Sequence, residues 1–215
     1  MPAIKRIFKK ATLMGVANIL ALAAMGLAIQ IGGAYLVNAA VICFPDSAPV
    51  MEYAKYMGTV RSFESREIMY AIFVAPLIEE IVFRLLFLRA GNMVLPFWAA
   101  NLIQAALFGI YHTLTLQRIY AFVMGLMIGC VFHYCPLIYK NTHTDDAGVP
   151  NSLIGVALTF ILHVVINFSG LYVAPLFSPY IDVSVQFLVG SACMLAAFFA
   201  CIRLLVQSKR PKEQI

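Results

Sequence analysis

Glu79, Glu80 and Arg84 stand inside an otherwise apolar run, Pro76-Leu-Ile-Glu-Glu-Ile-Val-Phe-Arg84. An ionisable group within a membrane-spanning segment costs roughly 2.5 to 3.5 kcal/mol on insertion scales, so each of these demands a reason. On an α-helix, residues four apart share a face, and the Arg84 guanidinium is expected to pair with the Glu80 carboxylate. Glu79 points about 100° away and has no partner on its own helix. A carboxylate so placed is suited to act as a general base. Taken alone, the segment reads equally well as an ion-pair cluster that glues helices together.

Two further apolar runs tip that balance. One carries His112, four residues after Phe108, with Asn101 and Gln104 one or two turns earlier near the same face. The other carries His163 and Asn167, again four apart. A lone membrane histidine is usually a satisfied bridge between helices. Two histidines and a glutamate on three separate runs, each with a polar helper at helical spacing, are costly groups converging, which packing does not require.

Taken in order, Glu-Glu-x-x-x-Arg (Glu79, Glu80, Arg84), Phe-x-x-x-His (Phe108, His112) and His-x-x-x-Asn (His163, Asn167) resemble the three-motif signature of the CPBP family. That family comprises the CAAX prenyl proteases and bacteriocin-processing enzymes, and is also called the Abi family. The resemblance covers about residues 76–170, a catalytic core that leaves out the first and last apolar runs. It implies an intramembrane endopeptidase in which Glu79 and His112 hold and activate the attacking water. It also implies that His163 and Asn167 donate to the tetrahedral oxygen, while Glu80, Arg84 and Phe108 shape the site. The implied partner is a membrane-associated protein or peptide substrate. A glutamate with two histidines also suits zinc, and the family has been read both ways. The set lacks the compact His-Glu-x-x-His pattern, so metal-free water activation with no cofactor is the expectation, zinc through Glu79, His112 and His163 the alternative. His112 falls late in its run, whereas Glu79 and His163 fall near the middle of theirs.

These residues need helices to hold them, and composition says what solvates those helices. With 62% hydrophobic and 12% charged residues and a mean hydropathy of +0.89, the chain has more apolar surface than a soluble core of 215 residues can hide. The expected fold is all-α, a polytopic transmembrane bundle in one membrane domain, 1–215, without soluble domain or internal repeat. Apolar runs at 11–44, 68–88, 95–116, 119–139, 152–174 and 183–206 give about six spans. The first is too long for a signal-peptide core and is read as a retained helix, although Val37-Asn38-Ala39 leaves room for cleavage. It is long enough to need a tilt, or a break near Gly32-Gly33. The polar connection 45–67 is expected to be a surface loop with a partly helical, interfacial stretch.

The net charge of +5 does not indicate nucleic acid, because the basic residues sit at the ends and in short loops rather than in a stripe. Lys5, Arg6, Lys9, Lys10, Arg89, Lys140, Lys209, Arg210 and Lys212 fall on one side, against Lys55, Arg61, Arg66 and Arg118 on the other. That asymmetry places both termini in the cytoplasm, in the cell (inner) membrane if the source is prokaryotic. The five cysteines are scattered and form no CxxC pair, which points to apolar filler. His133 beside Tyr134 reads as a helix bridge, His143 with Asp145 and Asp146 as a solvated loop, Arg203 and Arg89 as headgroup anchors. Two rival functions remain: a proton- or ion-coupled transporter, which the lack of a second charged segment disfavours, and a non-catalytic immunity or scaffold member of the same family, which would have lost a catalytic residue.

Overall fold

The computed structural model describes residues 2–60, 64–142 and 151–209. His143, Asp145, Asp146, Arg61, Arg210 and Lys212 lie outside them. Among the described residues there is no strand. The helices are α1 (Pro2–Cys43), α2 (Ala48–Val60), α3 (65–94), α4 (Phe97–Tyr111), α5 (Thr115–Thr142), α6 (Asn151–Phe177) and α7 (Val183–Ser208). Four are long and apolar enough to cross a bilayer: Leu20–Cys43, Thr115–Ile138, Asn151–Phe177 and Val183–Ser208. The chain is an integral membrane protein built as a helix bundle.

The other two expected spans differ from the reading of the sequence. The run at 95–116 forms a helix of 15 residues, Phe97–Tyr111. That is roughly 22 Å long, short of the ~30 Å hydrocarbon core. Pro96, in extended conformation, starts it, and His112, also extended, ends it. The run at 68–88 lies within the continuous helix α3, which carries Glu79, Glu80 and Arg84. Helix α3 alternates α-helical turns with π-helical ones at Tyr70–Val74 and Glu80–Leu88. The α2 helix supplies the helical stretch expected between the first two runs.

Helix α1 does not break at Gly32-Gly33. It continues unbroken to Cys43, and both glycines face neighbours that leave no room for a side chain. A Cβ on Gly32 would sit 2.6 Å from Met194 Cγ and 3.1 Å from the Gly190 carbonyl of α7. The missing side chains let α1 and α7 approach closely, which is how membrane helices associate where no hydrophobic driving force separates them from lipid. Helices α4, α5 and α6 pack around a core of Phe83, Phe108, Ile128, Val131, Leu162 and Ile166. His133 bridges helices as expected: its ring stacks on Phe97 of α4 at 4.1 Å and meets Tyr134 edge-on. Arg89 and Arg203 are exposed.

Candidate active site

The two adjacent glutamates of α3 converge on one histidine of α6. Glu80 Oε1 lies 2.8 Å from His163 Nδ1, and Glu79 Oε2 lies 3.5 Å from His163 Nε2. A carboxylate only accepts, so the Nδ1 proton belongs to the Glu80 contact and fixes the ring's orientation. Glu79 has no partner on its own helix, as its spacing indicated, but it is not idle: it closes on the far nitrogen of the same ring. Its side chain is 13% exposed, whereas that of Glu80 is fully buried.

Arg84 completes the back of the site. Its Nε lies 3.3 Å from Glu80 Oε2, both side chains being fully buried. This contact is held by charge rather than by alignment, since Arg84 Nε and Nη2 and Glu80 Oε2 have no hydrogen-bond partner among the described residues. What aims the guanidinium is a ladder on α4. Arg84 Nη1 donates to Gln104 Oε1 at 2.5 Å, and Gln104 Nε2 donates to Asn101 Oδ1 at 2.7 Å and to the Gly125 carbonyl at 3.0 Å. Asn101 Nδ2 in turn donates to the Leu126 carbonyl at 3.0 Å. Gly129 makes room for the ladder, because a Cβ there would fall 1.9 Å from Asn101 Oδ1. Asn101 and Gln104, placed by spacing beside His112, thus serve Arg84 instead.

His112 stands just past the end of α4 rather than late within it. Its Nδ1 lies 2.8 Å from the Phe108 carbonyl, the acceptor its own backbone N–H would use if the helix continued; that N–H goes to Gly109 O instead. A carbonyl cannot donate, so the proton is on Nδ1 and the lone pair on Nε2. Arg118 was read only as a topology signal, but its Nε donates to the His112 carbonyl at 2.8 Å and fixes the turn. Phe108 is the floor beneath all of this. Its buried ring meets His112 edge-on at 4.9 Å and His163 at 6.1 Å, and the Arg84 guanidinium lies over it at 5.0 Å.

Asn167 Nδ2 donates at 2.9 Å to the carbonyl of Ala71, in the first π-turn of α3. The sequence around that turn recurs. Val74-Ala-Pro-Leu77 in α3 returns as Val173-Ala-Pro-Leu176 in α6, and each copy begins on the last residue of a five-residue π-turn, Tyr70–Val74 and Ser169–Val173. The match is four residues long and leaves out the charged residues.

Zinc through Glu79, His112 and His163 would need three lone pairs aimed at one point. Both ring nitrogens of His163 face carboxylates, and among the described residues no three His, Cys, Asp or Glu side chains form a set that could hold a metal ion.

Neither a curated protein nor a solved structure matches the chain. A family model does: residues 64–169, just under half of the chain, match the one described as type II CAAX prenyl endopeptidase Rce1-like. The matched stretch holds both glutamates, Arg84, Phe108, His112, His163 and Asn167. Over that segment the chain is similar to the CAAX-type membrane proteases of the CPBP family.

Proposed function

We propose that this protein is an intramembrane endopeptidase that hydrolyses a peptide bond near the C-terminus, or in the membrane-embedded part, of a protein or peptide substrate. The observation that carries the reading is the division of labour around His163: Glu80 and Arg84 are sealed in, while Glu79 is partly open. His112, with Nδ1 tied to a carbonyl, keeps Nε2 for a ligand or proton.

In this reading Glu79 and His112 Nε2 hold the water without a metal. Glu79 takes its proton as the oxygen attacks the scissile carbonyl, then passes that proton to the leaving amine. One guanidinium faces two carboxylates, so one negative charge is left for a single proton to balance, and His163 Nε2 and Glu79 Oε2 are adjacent for it. His163, fixed through Nδ1, presents Nε2 as a donor to the tetrahedral oxygen, and Asn167 contributes the N–H that Ala71 does not use.

The test is a comparison of membrane proteomes from cells with and without the gene. The expected result is at least one membrane-associated precursor that retains its C-terminal tail only when the gene is absent and is trimmed again on adding back the wild-type chain. Identical tails in both would sink the protease reading.

The same proposal places both termini in the cytoplasm, from the lysine and arginine asymmetry. Single cysteines placed near Lys10 and near Lys209, with the native cysteines replaced, should react with an impermeant reagent only from the cytoplasmic side. Labelling from opposite sides would mean an odd number of crossings.

A further inference from the structure

Asn167 reaches a carbonyl that is available only because residue 76 is proline. In the first π-turn of α3 the Ala75 N–H reaches back five residues to Tyr70 O. Next in line is the Ala71 carbonyl, which has two possible donors on its own helix. One is Ala75, four residues on, already committed to Tyr70. The other is Pro76, five residues on, which has no N–H to give. Neither register supplies a donor, and a carbonyl left unpaired within a membrane bundle is costly. Asn167 Nδ2 fills the vacancy from α6.

A carboxamide has two N–H groups in one plane, so tying one to a fixed carbonyl sets the direction of the other. Ala71 belongs to the same helix as Glu79, two α/π turns away, so the tie also fixes Asn167 relative to the glutamates. We infer that Pro76 is a positioning residue: by leaving the Ala71 carbonyl without a backbone donor, it anchors the Asn167 carboxamide through one N–H and aims the other at the reacting carbonyl. The inference rests on the reading of Asn167 as an oxyanion donor. It makes the proline, an apparent defect in the helix, part of how that donor is held.

The inference predicts that Pro76→Ala damages activity without damaging the fold. Alanine supplies the missing N–H and removes a residue that disfavours helix interiors, so the detergent-solubilised variant should melt at the wild-type temperature or above. Its turnover of a quenched peptide ending in a farnesylated CAAX tail should fall about tenfold with KM nearly unchanged, because the donor acts on the transition state rather than on binding. A merely structural proline would give no such split.

Thermal unfolding of wild type, Pro76→Ala, Asn167→Ala and the double variant tests the anchor without any substrate. Asn167→Ala alone orphans the Ala71 carbonyl and should lower the midpoint by about 5 °C. With Pro76→Ala already present, that carbonyl has its own helix donor, and adding Asn167→Ala should move the midpoint by about 1 °C or less. Equal shifts in both backgrounds would overturn the inference, as would undiminished turnover in Pro76→Ala. If the wild type leaves the farnesylated peptide uncut, cleavage of prenylated tails fails as its activity, and the Asn167 side-chain amide resonances decide the aiming step instead. They should be separated in the wild type and collapse toward free-carboxamide positions in Pro76→Ala; unchanged resonances would overturn it.

Discussion

Glu79→Gln is expected to abolish cleavage while the protein still accumulates, folded, in the membrane. Glutamine keeps the size and reach of the side chain but cannot take a proton from the attacking water, and general-base catalysis contributes roughly 10² to 10⁴ in rate. The fold should tolerate the change because of where Glu79 sits. It is outside the Arg84–Glu80 pair, is partly open, and meets its neighbour His163 only at 3.5 Å. A carboxamide there can still face the His163 nitrogen, so no buried charge loses its partner. The comparison is of the rate of substrate trimming and the thermal midpoint in detergent, each against wild type. A variant that trims within a few-fold of wild type would remove Glu79 as the base; one that is dead and also unstable would mean that its role is structural.

How much of this was readable in the sequence depends on how many elements each feature needs. The Glu80–Arg84 contact is set by one helix and its periodicity, and it appears where spacing put it. The three motifs were likewise visible as costly groups in apolar runs. The structure puts Glu79, Glu80 and His163 in contact, with Phe108 beneath both histidines. What could not be read needed two elements at once. Helix α4 stops at His112 because the ring takes the carbonyl that the next turn would have used and because Arg118, from the following helix, caps the turn. Hydropathy is blind to both, so it extended the run to 116. The π-turns had a signal that periodicity discards: an apolar segment with proline in its interior, repeated as Val-Ala-Pro-Leu in α3 and α6. Proline forces a choice of register, but which register wins depends on a donor such as Asn167 arriving from another helix. Gly32-Gly33 shows the same limit in reverse. Glycine weakens an isolated helix, but here Gly32 makes room for α7 and Gly33 for Tyr120 of α5, and the helix does not break.

Glu80→Gln is expected to fail in the opposite way to Glu79→Gln, losing folded protein along with activity. Glu80 is fully buried and serves two partners, His163 through Oε1 and Arg84 through Oε2. Neutralising it leaves the Arg84 guanidinium, itself fully buried, with only Gln104 as a hydrogen-bonded neighbour, and Gln104 carries no charge. Breaking a buried pair by removing one partner costs roughly 3 to 5 kcal/mol, much of it the cost of the charge left behind. That is a large fraction of the net stability of about 5 to 15 kcal/mol usual for folded proteins. If the stranded charge is the cause, removing it should help. Glu80→Gln combined with Arg84→Met replaces the pair with neutral groups of similar length, and the double variant should regain most of the lost thermal midpoint while remaining inactive, because His163 Nδ1 no longer has the Glu80 carboxylate that holds its proton and fixes the ring. Melting curves and trimming measured for the two single variants and the double test both halves. Midpoints that add, with no recovery in the double variant, would show that the pair is not what Glu80→Gln breaks. A Glu80→Gln protein that is folded and dead, beside a Glu79→Gln protein that still cuts, would exchange the roles assigned to the two glutamates.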